Sequence, residues 1–256
     1  HIYKFSIVLL TVFTFIGCNV DDDDSVTVLP MKELTASLSQ QVDVIRIADD
    51  ATSYDLVINF SEALPSYSTI EYSLDGGATT TSSASSGDNT LVIPIAFDED
   101  KFYRDVVLSD FIVVNAAARR FSTSITGNSS LRIARQGTIF AAPGSVEITV
   151  TWSDSSKDLD IFLIEGNQDL GGALLDDSQG TTTTEQVVLS ADEEGVFSLF
   201  MYEWNFDYPV DYEINYVFED GQVLSFDSNI TSDSFQFTMS KSNDGAQMIC
   251  YINKIE

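Results

Sequence analysis

Apolar and polar side chains alternate with a period of two along most of the chain after residue 40. In residues 146–152 (VEITVTW), Val, Ile, Val and Trp share one face, while Glu and Thr occupy the other. Residues 210–218 (VDYEINYVF) follow the same rule. Successive side chains of a strand point to opposite faces, so each such strand would have one buried and one solvent-exposed face. The pattern predicts antiparallel sheets packed face to face.

Turn signals separate these runs and set their number. Asp220-Gly221 lies between two alternating runs and predicts a tight hairpin. About seven or eight short runs in each half fit two β-sandwiches in tandem. We therefore predict an all-β chain with two tandem antiparallel β-sandwiches, Ig-like or jelly-roll-like, at residues 41–140 and 141–256.

Three segments lack the alternating pattern. Residues 31–38 permit a short helical turn, and residues 79–86 (TTTSSASS) read as a polar loop. Residues 167–184 read as a long acidic loop, and loops of that length inside a compact domain often carry function.

The first residues have the features of a secretion signal. Lys4 precedes an uncharged apolar run at residues 7–16. A helix of that run rises only ~15 Å, too short for a hydrocarbon core of ~30 Å. We predict that residues 1–17 are a signal peptide rather than a membrane span.

The signal ends in Phe-Ile-Gly-Cys, which resembles the lipobox of bacterial lipoproteins, although Phe15 departs from the usual Leu. This resemblance implies acylation of Cys18 and a lipid-bilayer anchor, and each buried methylene contributes ~0.8 kcal/mol. The alternative is an ordinary signal that happens to end in Cys. The run Asp21–Asp24 resembles the export signal of surface-exposed lipoproteins, which implies an outer-membrane protein at the cell surface. Residues 18–40 are then the lipidated Cys18 and an acidic tether. The alternative is that the acidic run is only a polar linker, and the periplasmic face is the second choice of location.

Charge and missing residue types narrow the function. The formal net charge is −28, and residues 145–256 hold 3 basic against 22 acidic residues, a net of −19. Such a surface repels nucleic acid, so none is expected as a partner. His1 is the only histidine, which leaves the predicted domains without histidine catalysis or histidine-ligated zinc. Cys250, in an apolar run, reads as a buried hydrophobe rather than a nucleophile.

The most specific local motif is a strand ending in Trp152, then a polar loop with Asp154, then Asp158-Leu159-Asp160 entering an apolar strand. Two carboxylates two residues apart project from one face of a strand, and Ca²⁺ takes six to eight oxygen ligands. Asp154, Asp158 and Asp160 are therefore candidate Ca²⁺ ligands. The alternative is a solvated acidic rim.

The same motif resembles the hairpin of bacterial pre-peptidase C-terminal-like domains and related extracellular jelly rolls. The resemblance covers roughly residues 144–256. It implies an accessory binding or stabilising domain rather than an enzyme.

A second candidate site is the alternating aromatic run at residues 202–208. On an extended strand its four rings would share one face, either as part of the core or as a stacking platform for sugar rings. A third alternative is that Tyr202 is buried and residues 204–208 leave the sheet as a loop before Pro209. The candidate ligand-binding residues are Tyr202, Trp204, Asn205, Phe206, Asp207 and Tyr208.

Together these features predict a non-catalytic surface lipoprotein that binds a glycan or an envelope partner through its second sandwich. The first alternative is a structural or assembly component of an outer-membrane complex. The second is a carboxylate-dependent polysaccharide hydrolase, because paired carboxylates are defined by their spatial separation and not by sequence.

Overall fold

The computed structural model describes residues 31–98, 100–114 and 120–255. These residues form nineteen strands in four sheets, with no helix among them. It follows that no described helix has the length and apolarity needed to cross a membrane. The signal peptide, Cys18 and the Asp21–Asp24 run lie outside the described residues, so their assignments stay predictions.

The first sandwich packs a four-stranded sheet of order β6-β3-β1-β8 against a five-stranded sheet of order β2-β9-β7-β4-β5. One apolar cluster, with Ile58, Ile95 and Ile133 fully buried, fills the space between them. The strands are β1 (Lys32–Leu38), β2 (Val44–Ile47), β3 (Ser53–Phe60), β4 (Ser68–Leu74), β5 (Thr80–Ala84), β6 (Thr90–Ala96), β7 (Tyr103–Val113), β8 (Phe121–Ile125) and β9 (Ser130–Arg135).

The prediction of purely antiparallel sheets is wrong for the first sandwich. Strand β1 pairs in parallel with β8, and β2 pairs in parallel with β9. The short connection from β1 to β2 crosses from one sheet to the other, and the connection from β8 to β9 crosses beside it. The Gln41 side chain joins the two crossings, because its Oε1 accepts from Asn128 N at 2.7 Å while its Nε2 donates to Leu38 O. Two chain segments that change sheets side by side must pair in parallel in both sheets.

The second sandwich is antiparallel throughout, as predicted. A six-stranded sheet of order β10-β19-β18-β15-β12-β13 packs on a four-stranded sheet of order β14-β11-β16-β17. The strands are β10 (Thr138–Ala141), β11 (Val146–Trp152), β12 (Leu159–Glu165), β13 (Leu174–Ser178), β14 (Thr184–Leu189), β15 (Gly195–Glu203), β16 (Val210–Phe218), β17 (Val223–Ile230), β18 (Ser234–Asn243) and β19 (Met248–Lys254).

Alternation within the second sandwich follows the sequence closely. Val146, Ile148, Val150 and Trp152 of β11 all face the core, as predicted. The hairpin at Asp220-Gly221 is also confirmed: it joins β16 to β17, and Gly221 has a φ of +84° that suits glycine.

Three short segments depart from the sequence predictions. Residues 32–38, expected as tether or helical turn, form β1 with buried Leu34, Ala36 and Leu38, so the period of two outweighs weak helix propensity. Residues 80–84 of the expected polar loop form the edge strand β5, which pairs with β4 through backbone hydrogen bonds that need no apolar side chain. Part of the expected acidic loop forms β13 in the same way.

The boundary between the sandwiches lies earlier than residue 140. Strand β9 ends at Arg135, and β10 already pairs with β19 of the second sandwich. Only Gln136 and Gly137 connect them. A Cβ added to Gly137 would lie 2.2 Å from the Ile252 carbonyl oxygen, so this crossing has no room for a side chain.

The two sandwiches contact each other around Arg132. Its guanidinium forms two hydrogen bonds to Asp105, at 2.6 and 2.8 Å, and a third to Gln247 of the second sandwich at 3.0 Å. The same group lies 4.8 Å from the ring centroid of Tyr103 and 4.3 Å from that of Phe140. Bidentate pairing and stacking on both rings fix the guanidinium and, with it, the relative position of the sandwiches.

Candidate functional site

The Trp152 motif closes the β11–β12 connection. Trp152 is buried, and its indole N–H donates to the Lys157 carbonyl at 3.1 Å. Asp154 is exposed and accepts hydrogen bonds from the Ser156 amide and hydroxyl at 2.9 and 2.7 Å. These hydrogen bonds lower the Asp154 pKa. Both residues therefore shape the loop.

The predicted Ca²⁺ ligands are not assembled into a site. Among the described residues, no group of three acidic, Cys or His side chains is placed to hold a metal ion. Asp154 is engaged with its own loop, while Asp160 is 3% exposed on the outer face of β12. The sequence spacing predicts that the side chains of Asp158 and Asp160 point the same way. It does not predict where the preceding loop places Asp154.

Residues 204–208 of the aromatic run leave the sheet as a loop, whereas Tyr202 stays in β15. Strand β15 ends at Glu203, and Phe206 has a φ of +57°, a left-handed conformation incompatible with a continuing strand. The expectation of four rings on one strand face is therefore wrong. Trp204 and Phe206 are 58% and 69% exposed, whereas Tyr208 turns back and packs against the core.

Glu203 pins this loop. Its fully buried carboxylate accepts hydrogen bonds from the Asp158 amide at 3.3 Å and the Asp207 amide at 2.6 Å. Lys157 adds an ion pair to Asp207 at 2.6 Å and a hydrogen bond to its carbonyl at 2.7 Å. Trp204 is thus presented on an anchored turn, because both of its flanks are hydrogen-bonded to the β11–β12 connection.

Trp204 continues a row of aromatic rings on the outer face of the six-stranded sheet. We define the aromatic ribbon as Trp204, Tyr202, Phe162, Phe200 and Phe235, in spatial order. Neighbouring ring centroids lie 5.3–6.5 Å apart. Apart from Trp204, each ring is half-buried. The ribbon is a continuous apolar track across three strands on a solvent-facing surface.

The ribbon exists because β12 and β15 carry aromatic residues on their outer faces in addition to their apolar core-facing residues. In β15, Phe197, Leu199 and Met201 fill the core, so Phe200 and Tyr202 point outward. Phe162 lies directly opposite Phe200 on β12. An apolar outer face on a strand is normally covered by another layer of the protein, and one that stays exposed marks a binding surface.

A β-bulge brings Phe235 into the ribbon. The register between β15 and β18 shifts at Phe200, so that Leu199 opposes Phe237 while Phe200 opposes Phe235. The extra residue, Gln236, points inward and accepts a hydrogen bond from the Tyr212 hydroxyl at 2.9 Å. Simple alternation would place Phe235 beside Phe237 in the core. The bulge re-aims its side chain to the outer face.

Carboxylates line one side of the ribbon. Asp160 lies directly opposite Tyr202 on β12. Burial, together with this neighbouring carboxylate, raises the pKa of Tyr202 to about 12. Burial also raises the pKa of Asp160, and the nearby Asp158, Glu185 and Asp177 raise it further. Asp177 lies opposite Phe162 on β13 and is exposed. Hydrogen-bond acceptors therefore stand next to the apolar track.

Sequence reasoning found one end of this site and missed the other. Tyr202 and Trp204 were candidates and belong to the ribbon, while Asn205, Phe206 and Asp207 lie in the exposed loop beside it. Phe162, Phe200 and Phe235 were missed. The available signal was the uninterrupted apolar run at residues 199–202 (LFMY), because a strand with one solvent-exposed face would be expected to alternate apolar and polar residues.

No family model matches the sequence, and no curated protein matches it. Among solved structures, CBD12 from CALX1.2 aligns over 73% of this chain and 83% of its own, with 12% identity and a TM-score of 0.31. The apo form of the Calx CBD1 domain covers 40% of this chain and 95% of its own at 9% identity, with a TM-score of 0.30. A tetra-tandem repeat from a large adhesion protein covers 87% of this chain and 63% of its own at 10% identity, with a TM-score of 0.24. TM-scores this low carry no argument about function, and the assignment of two sandwiches rests on the sheets themselves.

Proposed function

We propose that this chain is a non-catalytic binding protein that holds a neutral polysaccharide against the aromatic ribbon. The observation that carries the proposal is the row of exposed and half-exposed rings on the most acidic part of the chain. Pyranose rings have apolar C–H faces and hydroxylated edges. The ribbon offers flat apolar surfaces, and the carboxylates beside it accept hydrogen bonds from hydroxyl groups.

Charge decides between classes of polysaccharide. Residues 145–256 carry a formal net charge of −19, and Asp158, Asp160 and Asp177 lie close to Tyr202 or Phe162. A polyanion such as alginate would be repelled by this surface. A neutral chain pays no such electrostatic penalty.

The carboxylates also disfavour a protein partner as the occupant. The centres of stable protein interfaces are enriched in aromatic residues but depleted of charge. Here the exposed Asp177 lies directly opposite Phe162 of the ribbon. A dry protein–protein contact would have to desolvate this exposed carboxylate, whereas sugar hydroxyls can hydrogen-bond to it.

Binding to laminarin, xyloglucan, glucomannan and alginate, measured by affinity electrophoresis and calorimetry, tests the proposal. We expect at least one neutral polymer to bind and alginate not to bind. Trp204→Ala should weaken binding about 5- to 10-fold, equivalent to about 1–1.4 kcal/mol. Tyr67→Ala is the matched control, because Tyr67 is an exposed aromatic residue of the first sandwich.

Other results would overturn the proposal or favour its rivals. Absence of binding to every neutral polymer, or equal effects of Trp204→Ala and Tyr67→Ala, would contradict it. A stable stoichiometric protein partner recovered from membranes would favour an assembly role. Repeating the titrations with a chelator tests the sequence-based prediction of Ca²⁺.

We further propose that acylated Cys18 anchors the protein in the outer membrane, with the sandwiches at the cell surface. The support is the lipobox and the acidic run that follows it. Mass spectrometry of the purified N-terminal peptide should find acyl chains on Cys18, and Cys18→Ala should release the protein. Protease treatment of intact cells distinguishes the surface from the periplasmic face.

A further inference from the structure

We propose that the polysaccharide track does not end at Phe235 but continues into the cleft between the two sandwiches. This inference rests on the proposed function and assigns a part in binding to the first sandwich. A single chain ligand would then contact both sandwiches at once.

Two adjoining depressions define the path. A groove of about 510 Å³ contains Phe200 and Phe235 of the ribbon. A cleft of about 930 Å³ lies between the sandwiches. Gln168 and Ile255 line both, so the groove and the cleft adjoin at these two residues.

The connecting point is held by hydrogen bonds. The backbone N–H of Gln168 donates to Ser198 Oγ at 2.8 Å, and the Ser198 hydroxyl donates to the Gly166 carbonyl at 2.7 Å. The Ile255 amide donates to the Gln236 carbonyl at 2.9 Å. Both lining residues are therefore fixed to the strands that carry the ribbon, and the adjoining depressions are in place before a ligand arrives.

The cleft offers the chemistry that a sugar chain needs. The second sandwich contributes the Tyr251 ring and the exposed Asn253, while the first contributes Asp50 and Thr52. Tyr251 stacks on Phe102 across the junction, with ring centroids 4.2 Å apart. An aromatic wall and amide, hydroxyl and carboxylate groups face one space, which lies within the usual size of a ligand site.

Length dependence distinguishes a track that crosses the junction from one confined to the ribbon. The probes are size-fractionated oligosaccharides, two to ten sugars long, made from whichever neutral polymer of the panel binds. Thr52→Trp and Asn253→Trp each place a large side chain in the cleft without touching the ribbon. Thr80→Trp is the matched control, because Thr80 is exposed on the edge strand β5.

We expect affinity to rise with length and both cleft variants to weaken the longest oligosaccharides about 10-fold while leaving the shortest unchanged. Thr80→Trp should change neither. If Trp204→Ala weakens binding but the cleft variants match Thr80→Trp at every length, the extended track is wrong and the ribbon site stands. If neither Trp204→Ala nor the cleft variants affect binding, both proposals fail.

Discussion

Burial makes the thiol of Cys250 unreactive. It is 0% exposed in the core of the second sandwich, and desolvation raises the pKa of its thiol to about 12. The sequence-based interpretation as a buried hydrophobe is confirmed. Since the thiolate is the nucleophile, reactivity requires both ionisation and access.

We therefore expect Cys250 to resist thiol reagents until the protein unfolds. In a Cys18→Ser variant it is the single thiol of the chain. A disulfide reagent should label none of it over an hour in buffer and one equivalent in guanidinium chloride. Rapid labelling in buffer would contradict its burial.

Asp160 makes the free energy of unfolding depend on pH. Its folded-state pKa is raised by burial and by Asp158, Glu185 and Asp177. The folded state thus binds this proton more tightly than the unfolded state, so stability falls as the pH rises from the ordinary aspartate pKa through the raised value. Asp160→Asn should be more stable relative to the parent at pH 7 than at pH 3, measured by chemical unfolding.

Asp154→Asn provides the control of opposite sign. Hydrogen bonds from Ser156 lower the Asp154 pKa, so its contribution is present above the ordinary aspartate pKa and is lost as the pH falls. This variant should be less stable relative to the parent at pH 7 than at pH 3. Identical pH profiles for the two variants would contradict both assignments.

At the scale of elements, Glu203 decides whether the Trp204 loop keeps its shape. Glu203→Ala removes the hydrogen-bond acceptor of two partly buried backbone N–H groups, those of Asp158 and Asp207. Leaving such groups unsatisfied costs about 1–3 kcal/mol. We expect that loss in urea unfolding, together with weaker polysaccharide binding.

The control for Glu203 is Glu213→Ala. Glu213 is exposed on β16 and accepts one hydrogen bond from Asn215 at 3.0 Å. Its replacement should stay within about 0.5 kcal/mol of the parent and leave binding unchanged. Equal losses of stability and binding in Glu203→Ala and Glu213→Ala would contradict the role of Glu203 in anchoring the loop.

Strand identity in the second sandwich could be predicted from sequence because each strand carries its own period. Residues 146–152 and 210–218 bury the predicted faces. The ribbon could not be predicted, since Phe162, Phe200 and Phe235 meet only through the register of three strands. The bulge at Gln236 reverses the face that alternation assigns to Phe235, and backbone register is set by tertiary packing.

The junction between the sandwiches is the second element with a testable energetic role. Arg132→Lys keeps the charge but loses the bidentate fork and the stacking on Tyr103 and Phe140. We expect destabilisation of about 1–3 kcal/mol and a calorimetric transition that separates into two. Arg104→Lys, whose partners Asp75 and Asp98 both lie in the first sandwich, should leave one transition.

For the molecule as a whole, the uneven charge predicts a salt-dependent stability. The formal net charge is −28, and most of it lies in the second sandwich. Mutual repulsion destabilises the compact state, and salt shortens its range to about 8 Å at physiological ionic strength. Raising NaCl from 10 to 300 mM should therefore raise the melting temperature by several degrees.

The same salt series should leave affinity for a neutral polysaccharide nearly constant. Apolar stacking and hydrogen bonding involve no net charge on such a ligand, so screening has little to act on. Sucrose at matched osmolality controls for general solute effects on stability. A melting temperature that falls with salt would contradict the repulsion argument.

The two-residue crossing at Gln136 and Gly137 limits how this protein can be divided or recombined. Strand β10 covers the edge of β19, yet it follows β9 after only those two residues. A fragment that begins at residue 141, the boundary predicted from the sequence, would lose most of β10 and expose the edge of β19, which favours aggregation. An independent second sandwich must therefore begin before β10. Any duplication or exchange of this domain has to include β10.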